Sequence, residues 1–362
     1  MYRPIRALID CTALQHNLSV VRNHTHQARI MAVVKADAYG HGLLRTAQAL
    51  NTVDGFAVLE LEAAIQLREA GFKQPVLLLE GFFSAEELGM IDHYRLSTVI
   101  HSHEQLSLLL AHKKTGKPDL FIKINTGMNR LGFKSEEGNY VLNRIKQWCS
   151  DANTTLMTHF SCADDARQTD QVNQQLDLFA PLYAKRENNL PQTLANSAAI
   201  LRYPGTHADW VRPGIILYGA SPLPDKTGIE LGLRPVMTLT SEIIAVQQLD
   251  PSDRVGYGGQ FIADQPMRIG VVAAGYADGY PRHAPTGTPV LVNGQRTRLI
   301  GCISMDMLTI DLSGIGGVGV GSPVTLWGEG LPVEEIAKSA QTISYELLTA
   351  RSSRVPSIYI YT

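Results

Sequence analysis

Lys35 occupies a position where a lysine is costly. The run Ile30-Met31-Ala32-Val33-Val34 is short, apolar and β-branched at its end, which predicts a fully buried strand. Lys35 follows it, then Ala36-Asp37-Ala38-Tyr39-Gly40-His41-Gly42, a small-residue turn opening into a helical pattern. A lysine closing a buried strand can face a pocket, where desolvation lowers its pKa and frees the amine as a base or nucleophile. Schiff-base chemistry needs such an amine. Other candidates follow short apolar runs in the same way, Arg130 in Asn125-Thr126-Gly127-Met128-Asn129-Arg130, His159 and Asn196-Ser197, while Arg212-Pro213-Gly214 precedes the last run. Ser197, at the start of a helical stretch, offers an anion seat.

These residues need a scaffold that brings strand ends together. Up to about residue 230, apolar runs at 30–34, 55–59, 76–79, 97–100, 119–124, 154–158, 193–196 and 215–218 alternate with amphipathic segments. Leu14, Leu18 and Val21 mark one helical stripe; Leu61, Ala64, Ile65 and Ala70, then Val141, Leu142 and Ile145, then Leu176, Phe179 and Leu182 mark others. Eight strands alternating with helices predict a (β/α)8 barrel, with an open doubly wound sheet as the alternative. Barrel catalytic groups gather at strand C-termini. On that scaffold an aldehyde-reactive lysine, cationic neighbours and a phosphate seat suggest pyridoxal phosphate.

After about residue 232 the pattern becomes β-like: 236–249, 268–274, 290–292, 297–300, 307–312 and 324–326, with Asn293-Gly294 as the clearest hairpin signal. One helix, roughly 333–340, interrupts the strands and another is expected at 344–350. Two domains result, 1–230 and 231–362, with the boundary in the Pro/Gly-rich stretch 221–232. The segment Ile5–Ile9 reads as a strand able to pair with the β domain. The Gly314-Ile315-Gly316-Gly317-Val318-Gly319 spacing resembles a dinucleotide fingerprint, but a strand-like run and not a helix follows it, so a turn is expected.

With 362 residues, 44% hydrophobic and 18% charged, the chain is of ordinary globular make-up. A net charge of −2 gives no reason to expect nucleic acid or an anionic membrane as partner. The cysteines Cys11, Cys149, Cys162 and Cys302 lack metal spacing and read as free thiols. The pairs His101/His103 and His24/His26 read as surface histidines, so no metal is expected. The Met1–Arg6 start is not followed by an apolar signal core, and no run is long enough to span a bilayer; a cytoplasmic protein is expected.

The chain closely resembles the alanine racemase family of barrel-type pyridoxal-phosphate enzymes, over nearly its whole length. The matching blocks are 33–42, 125–132 and 212–215 in the first domain. In the second they are Val255-Gly256-Tyr257-Gly258-Gly259, Ala274-Gly275-Tyr276-Ala277-Asp278-Gly279 and Ser304-Met305-Asp306-Met307. Asn125 stands where the family often has Asp. The resemblance implies that Lys35 holds the cofactor and serves as one of two bases. Tyr39, Ser197, Gly214, Ile215 and Tyr345 would seat the phosphate, Arg212 would face the pyridine nitrogen, and His159 would lie beside the ring against Arg212. Arg130 would hold the cofactor phenolic oxygen and the substrate carboxylate. Lys123 matches a lysine that the family often carboxylates. Tyr257, biased toward phenolate by the cations His159 and Arg212, would be the second base, supplied with Met305 and Asp306 by a partner subunit in a homodimer. The implied reaction interconverts L- and D-alanine, for peptidoglycan supply or alanine breakdown. The alternatives are a broader-specificity racemase, an amino-acid decarboxylase of the same barrel type, and a non-catalytic pyridoxal-phosphate-binding protein.

Overall fold

A computed structural model describes residues 3–25, 27–113, 116–182 and 190–361. His26 and the first two residues of the Met1–Arg6 segment lie outside the described residues. The parallel strands Arg29–Val33, Gly55–Val58, Val76–Leu78, Ser97–Ile100, Asp119–Asn125, Asn153–Met157, Gln192–Asn196 and Trp210–Arg212 pair in sequence order. Trp210 and Val211 pair back onto Arg29 and Ile30, which closes the barrel. The open-sheet alternative is thereby excluded.

The eighth strand differs from the predicted one. Ile215–Tyr218 is a 3-10 turn with every residue buried, and the strand is Trp210–Arg212. A short apolar run reads equally as a buried strand or a buried helical turn. Here Pro213-Gly214 separates the run from the sheet, and Trp210-Val211 supplies the barrel wall.

Outside the barrel, helix Cys11–Thr25 buries Leu14, Leu18 and Val21, and helix Gly138–Trp148 buries Val141, Leu142 and Ile145, the stripes read from sequence. On helix Leu61–Glu69 the buried face is Ala64 and Leu67, and Ala70 is exposed beyond its end. Helix Thr169–Phe179 buries Val172 and Phe179, with a glutamine, Gln175, between them.

The second sheet is organised by the long strand Met237–Leu249. It pairs antiparallel with Arg6–Asp10, Met267–Val272 and Pro323–Trp327. Arg6–Asp10 also pairs, in parallel, with Ser357–Ile360, so both ends of the described chain meet in this sheet. The hairpin Pro289–Val292 to Gln295–Arg298 turns at Asn293 and Gly294, with φ of 47° and 75°. Positive φ at both central residues is the type I′ signature. The glycine-rich run 314–319 joins strands Leu308–Asp311 and Pro323–Trp327 through turns, without a helix. Helices Val333–Ser339 and Ser344–Thr349 fall where they are predicted. No described helix is long and apolar enough to cross a membrane.

Candidate active site

The first barrel strand ends at Val33, and Lys35 begins an unusual turn. Ala36, Asp37, Ala38 and Tyr39 all have φ between 51° and 54° and ψ between 40° and 53°, a left-handed helical turn built without glycine until Gly40. Each such residue costs about 1–2 kcal/mol. The turn persists because it is held on all sides. The Asp37 carboxylate accepts the Leu43 N–H at 2.7 Å, and its carbonyl accepts the Gly42 N–H at 2.9 Å. Buried His41 bonds through Nδ1 to the carbonyls of Tyr39 and Ala38 at 2.8 and 3.0 Å. Burial drives that imidazole down to about 4, so it is neutral. The Tyr218 ring stacks on Tyr39 at 4.7 Å, and its hydroxyl donates to the Val33 carbonyl at 2.9 Å. Strained backbone so over-determined is characteristic of functional sites. Lys35 heads this turn within electrostatic reach of Arg130, Glu80 and Glu60, and Tyr39 lies against Tyr218 and Gly214.

The mouth is cationic. Lys35 is half-buried, and its pKa is lowered first by desolvation and then by Arg130, with Glu80 and Glu60 opposing. Lys123, from the fifth barrel strand, is pulled down to about 8 by burial, then by Arg212 and Arg130. His159 follows the sixth strand. Burial and then Arg212, Lys123, Arg130 and Lys35 hold its pKa well below the usual histidine value. It is therefore a neutral ring and not the cation expected from sequence.

Arg212 ends the eighth strand and is fully enclosed. Burial pulls it down to about 9, still charged at neutral pH. Its terminal nitrogens donate to Thr193 Oγ1, to the carbonyls of Thr158 (2.7 Å) and Leu194 (3.1 Å), and approach His159 Nδ1 at 3.4 Å. Its Nε–H has no partner among the described residues. Those bonds fix the guanidinium plane and leave the Nε–H unused by the protein.

A second group of predicted residues meets beside the turn. The Gly214 N–H donates to Ser197 Oγ at 2.9 Å, which leaves the serine proton free to donate elsewhere. A Cβ on Gly214 would lie 2.5 Å from the Tyr39 hydroxyl, so only glycine admits that phenol. Ile215 opens the 3-10 turn, where backbone N–H groups lack helical acceptors. The Tyr345 ring lies 6.1 Å from Tyr39. Burial raises both phenols, Tyr39 to about 12, so each is a neutral donor. Hydroxyl and backbone donors around a small-residue cradle form a seat for an anion of phosphate type.

Arg130 is exposed at the rim, on a loop whose shape is set by Asn125. The Asn125 side chain accepts the N–H groups of Gly127 (3.1 Å) and Asn129 (3.0 Å), so an amide carries out this turn where the family often has a carboxylate. The β-domain candidates lie elsewhere in the chain. Tyr257 sits in a glycine-rich turn at 75% exposure, and Met305 is 52% exposed. No hydrogen bond or ring contact joins either side chain to the barrel mouth of the same chain among the described residues. Asp306 is ion-paired to Arg354 at 2.7 Å. His101 and His103 bond separately, to the Glu80 carbonyl and the Glu137 carboxylate.

The sequence reading missed the residues beneath the site. Gln175 donates to Thr126 Oγ1 and to the His159 carbonyl, both at 3.0 Å, and accepts from Ser161. Thr126 and Thr158 share a 2.7 Å bond, and Thr158 donates to the Ile124 carbonyl. Nothing in spacing distinguishes these threonines from ordinary strand residues. A buried glutamine inside an apolar stripe was the one available signal.

A closed parallel barrel with a strained lysine turn at its cationic mouth, and an appended β domain, defines a barrel-type lysine enzyme. Residues 9–222 match the alanine racemase N-terminal domain, and residues 236–359 match the alanine racemase C-terminal domain. The chain belongs to the alanine racemase family. It is 88% identical over 360 residues to the alanine racemase of Nitrosomonas eutropha, covering 99% of this chain and 100% of that protein. It is 50% identical to the catabolic alanine racemase of Salmonella typhimurium, covering 99% of each. Its fold matches the crystal structure of the biosynthetic alanine racemase from Pseudomonas aeruginosa with a TM-score of 0.96 at 42% identity, covering 99% of this chain and 100% of that one. The alanine racemase of Bartonella henselae, with covalently bound pyridoxal phosphate, matches with a TM-score of 0.89 at 29% identity, covering 99% of each.

Proposed function

We infer that the chain racemises alanine with pyridoxal phosphate, using Lys35 and the Tyr257 of a partner subunit as bases on opposite faces. The observation that carries this reading is the pairing of a desolvated Lys35 amine with an adjoining anion seat. The residues fit the cofactor: Lys35 for its aldehyde, Tyr39, Ser197, Gly214, Ile215 and Tyr345 for its phosphate, and the free Nε–H of Arg212 for its ring nitrogen. When bound, the group supplies the electron withdrawal that acidifies the substrate α-carbon.

The chain's own residues then divide the work. Arg130, at the rim, takes the substrate carboxylate. The Lys35 amine accepts the α-proton on one face. Tyr257 of the partner subunit delivers a proton from its hydroxyl on the other face. One base alone would return the proton to the face it left. Arg212 is a donor that does not give up its proton to the ring nitrogen, unlike a carboxylic acid, and so favours simple proton return over other reactions. A carboxylate partner at that position would suit a decarboxylase. Neutral His159, held against Arg212, would lie beside the ring. Met305 and Asp306 of the partner subunit bound the substrate space. The test is solvent-coupled D/L exchange on a panel of amino acids. Fast exchange with alanine and slow exchange with bulky substrates is the expected outcome; release of carbon dioxide or equal rates across the panel overturns it.

Lys123 is read as a carbamate. An amine held near 8 is partly uncharged at neutral pH, and only that form adds carbon dioxide. The product is an anion among the cations Arg212, Arg130 and Lys35, which relieves their repulsion and orients Arg130. Protein equilibrated with 13C-bicarbonate is expected to show a carbamate carbon signal that grows as pH rises through about 8 and is missing in Lys123→Ala. No difference between the two proteins rejects the carbamate.

A further inference from the structure

Behind Met305 and Asp306 stands a buried charge that the reaction does not use. Asp278 is 0% exposed. One carboxylate oxygen accepts from Arg3 at 2.5 Å and from Arg354 Nε at 2.7 Å; the other accepts the Gly275 N–H at 2.8 Å. Burial alone would raise this carboxyl, but the bonds from Arg3, Arg354 and Gly275 overcome it and hold the carboxyl below its usual value. Arg354 continues to Asp306 Oδ1 at 2.7 Å, and Arg3 donates to the Asp306 carbonyl.

Around this charge two loops are locked edge to edge. The Tyr276 N–H donates to the Ser304 carbonyl at 3.1 Å and the Ala277 N–H to the Met305 carbonyl at 3.0 Å. A Cβ on Gly275 would lie 2.3 Å from the Met305 carbonyl oxygen, so glycine permits the approach. The segment carrying Arg354 also reaches the barrel. The Ser352 N–H donates to the Asp278 carbonyl at 3.1 Å, and Arg351 Nε donates to the Gly40 carbonyl at 2.9 Å. Gly40 closes the left-handed turn behind Lys35. One strap therefore touches the turn that aims Lys35 and the loops that carry Met305 and Asp306.

We propose that Asp278, bridging Arg3 and Arg354, is a positioning residue that fixes the Tyr276 turn and the Ser304–Asp306 loop in the pose in which they complete the active site of the partner subunit. This rests on the reading of Tyr257, Met305 and Asp306 as donated residues. The arrangement has the form of a buried charge held by two arginines, whose geometry depends on every member being present. Both arginines span Asp278 and Asp306, Arg354 through the two carboxylates and Arg3 through the Asp278 carboxylate and the Asp306 carbonyl, with planar forks that lysine cannot reproduce.

The test uses the dimeric holoenzyme. Arg354→Gln keeps the Arg3–Asp278 pair and is expected to lower kcat/KM for alanine about tenfold to a hundredfold, mostly through KM, because the loops it positions bound the substrate alike in the ground and transition states. Lysine-bound cofactor absorbance should stay at the wild-type level, and amide exchange at Ser304–Asp306 should rise. Arg354→Lys should recover only part of the loss. Asp278→Asn, which keeps an acceptor for Gly275, is expected to behave like Arg354→Gln if it folds.

Mixed dimers with a Lys35→Ala chain locate the effect. Placing Arg354→Gln on the chain that keeps Lys35 should restore the wild-type KM at the single working site. Placing it on the Lys35→Ala chain should not. A loss that follows the Lys35-bearing chain, or unchanged loop exchange in Arg354→Gln, overturns the proposal. The exchange readout does not depend on which chain the loop serves. A Lys35→Ala and Tyr257→Phe mixture that fails to recover activity would therefore reject the shared site without mimicking a failure of the strap.

Discussion

In Tyr257→Phe, α-proton exchange slows by roughly 10²–10⁴ for one enantiomer of alanine while the other keeps exchanging with solvent. The asymmetry has to be sought in isotope exchange and not in net racemisation. The two enantiomers are equal in energy, so kcat/KM must fall by the same factor in both directions whenever any step is slowed. Exchange in deuterated water escapes this constraint. The enantiomer whose α-proton faces the Lys35 amine can lose it, mix it with solvent and recover deuterium on the same face without inverting. The other enantiomer needs the phenol at the outset. Pure L- and pure D-alanine, followed separately for deuterium uptake, are expected to differ by that factor. Equal slowing in both rejects Tyr257 as a face-specific base. The phenol is suited to the role by its setting: it is exposed on a glycine-rich turn, with no intramolecular partner holding its hydroxyl among the described residues.

The barrel was legible because seven of its strands are apolar runs bounded by helical stripes, and period and length separate the two. The eighth was displaced because Ile215–Tyr218 is as apolar as any strand, and only the chain's geometry after Pro213-Gly214 bends it into a turn. Lys35, Arg130, His159 and Ser197 could be placed at strand ends from order alone, whereas Arg212 was expected ahead of the eighth strand and in fact ends it. The handedness of the turn at 36–39 could not be read, because alanine, aspartate and tyrosine have no preference for positive φ; its cause is tertiary, in Asp37, His41 and Tyr218. The charge of His159 was misjudged for a related reason. Its protonation is decided by burial and then by four cations that arrive from elsewhere in the chain, neither of which lies next to it in sequence. Gln175 and Asp278 share that origin. Each is a polar residue whose meaning depends on partners far away in the chain.

Mixing Lys35→Ala and Tyr257→Phe subunits, each nearly inactive by itself, is expected to recover about a quarter of wild-type activity if the active site is shared across a two-fold dimer. Random pairing makes half of the dimers mixed. Each mixed dimer has one site that lacks both bases and one that lacks neither. The Lys35→Ala homodimer should also lose the absorbance of lysine-bound cofactor, since no other amine follows the first barrel strand into the mouth. In the mixed dimer half of that absorbance should return with the activity. The reason to expect recovery is spatial. Lys35 lies in the barrel mouth at the head of a strained turn, while Tyr257 and Met305 of the β domain are exposed, with no hydrogen bond or ring contact to that mouth in their own chain among the described residues. A base must approach the substrate from the face opposite Lys35, and a second copy of the chain can bring one there without deforming either domain. Measured activity that stays at the sum of the two homodimers, with mixed dimers shown to be present, would mean that both bases come from one chain. The exposed position of Tyr257 would then require a hinge motion of the β domain to carry it to the barrel.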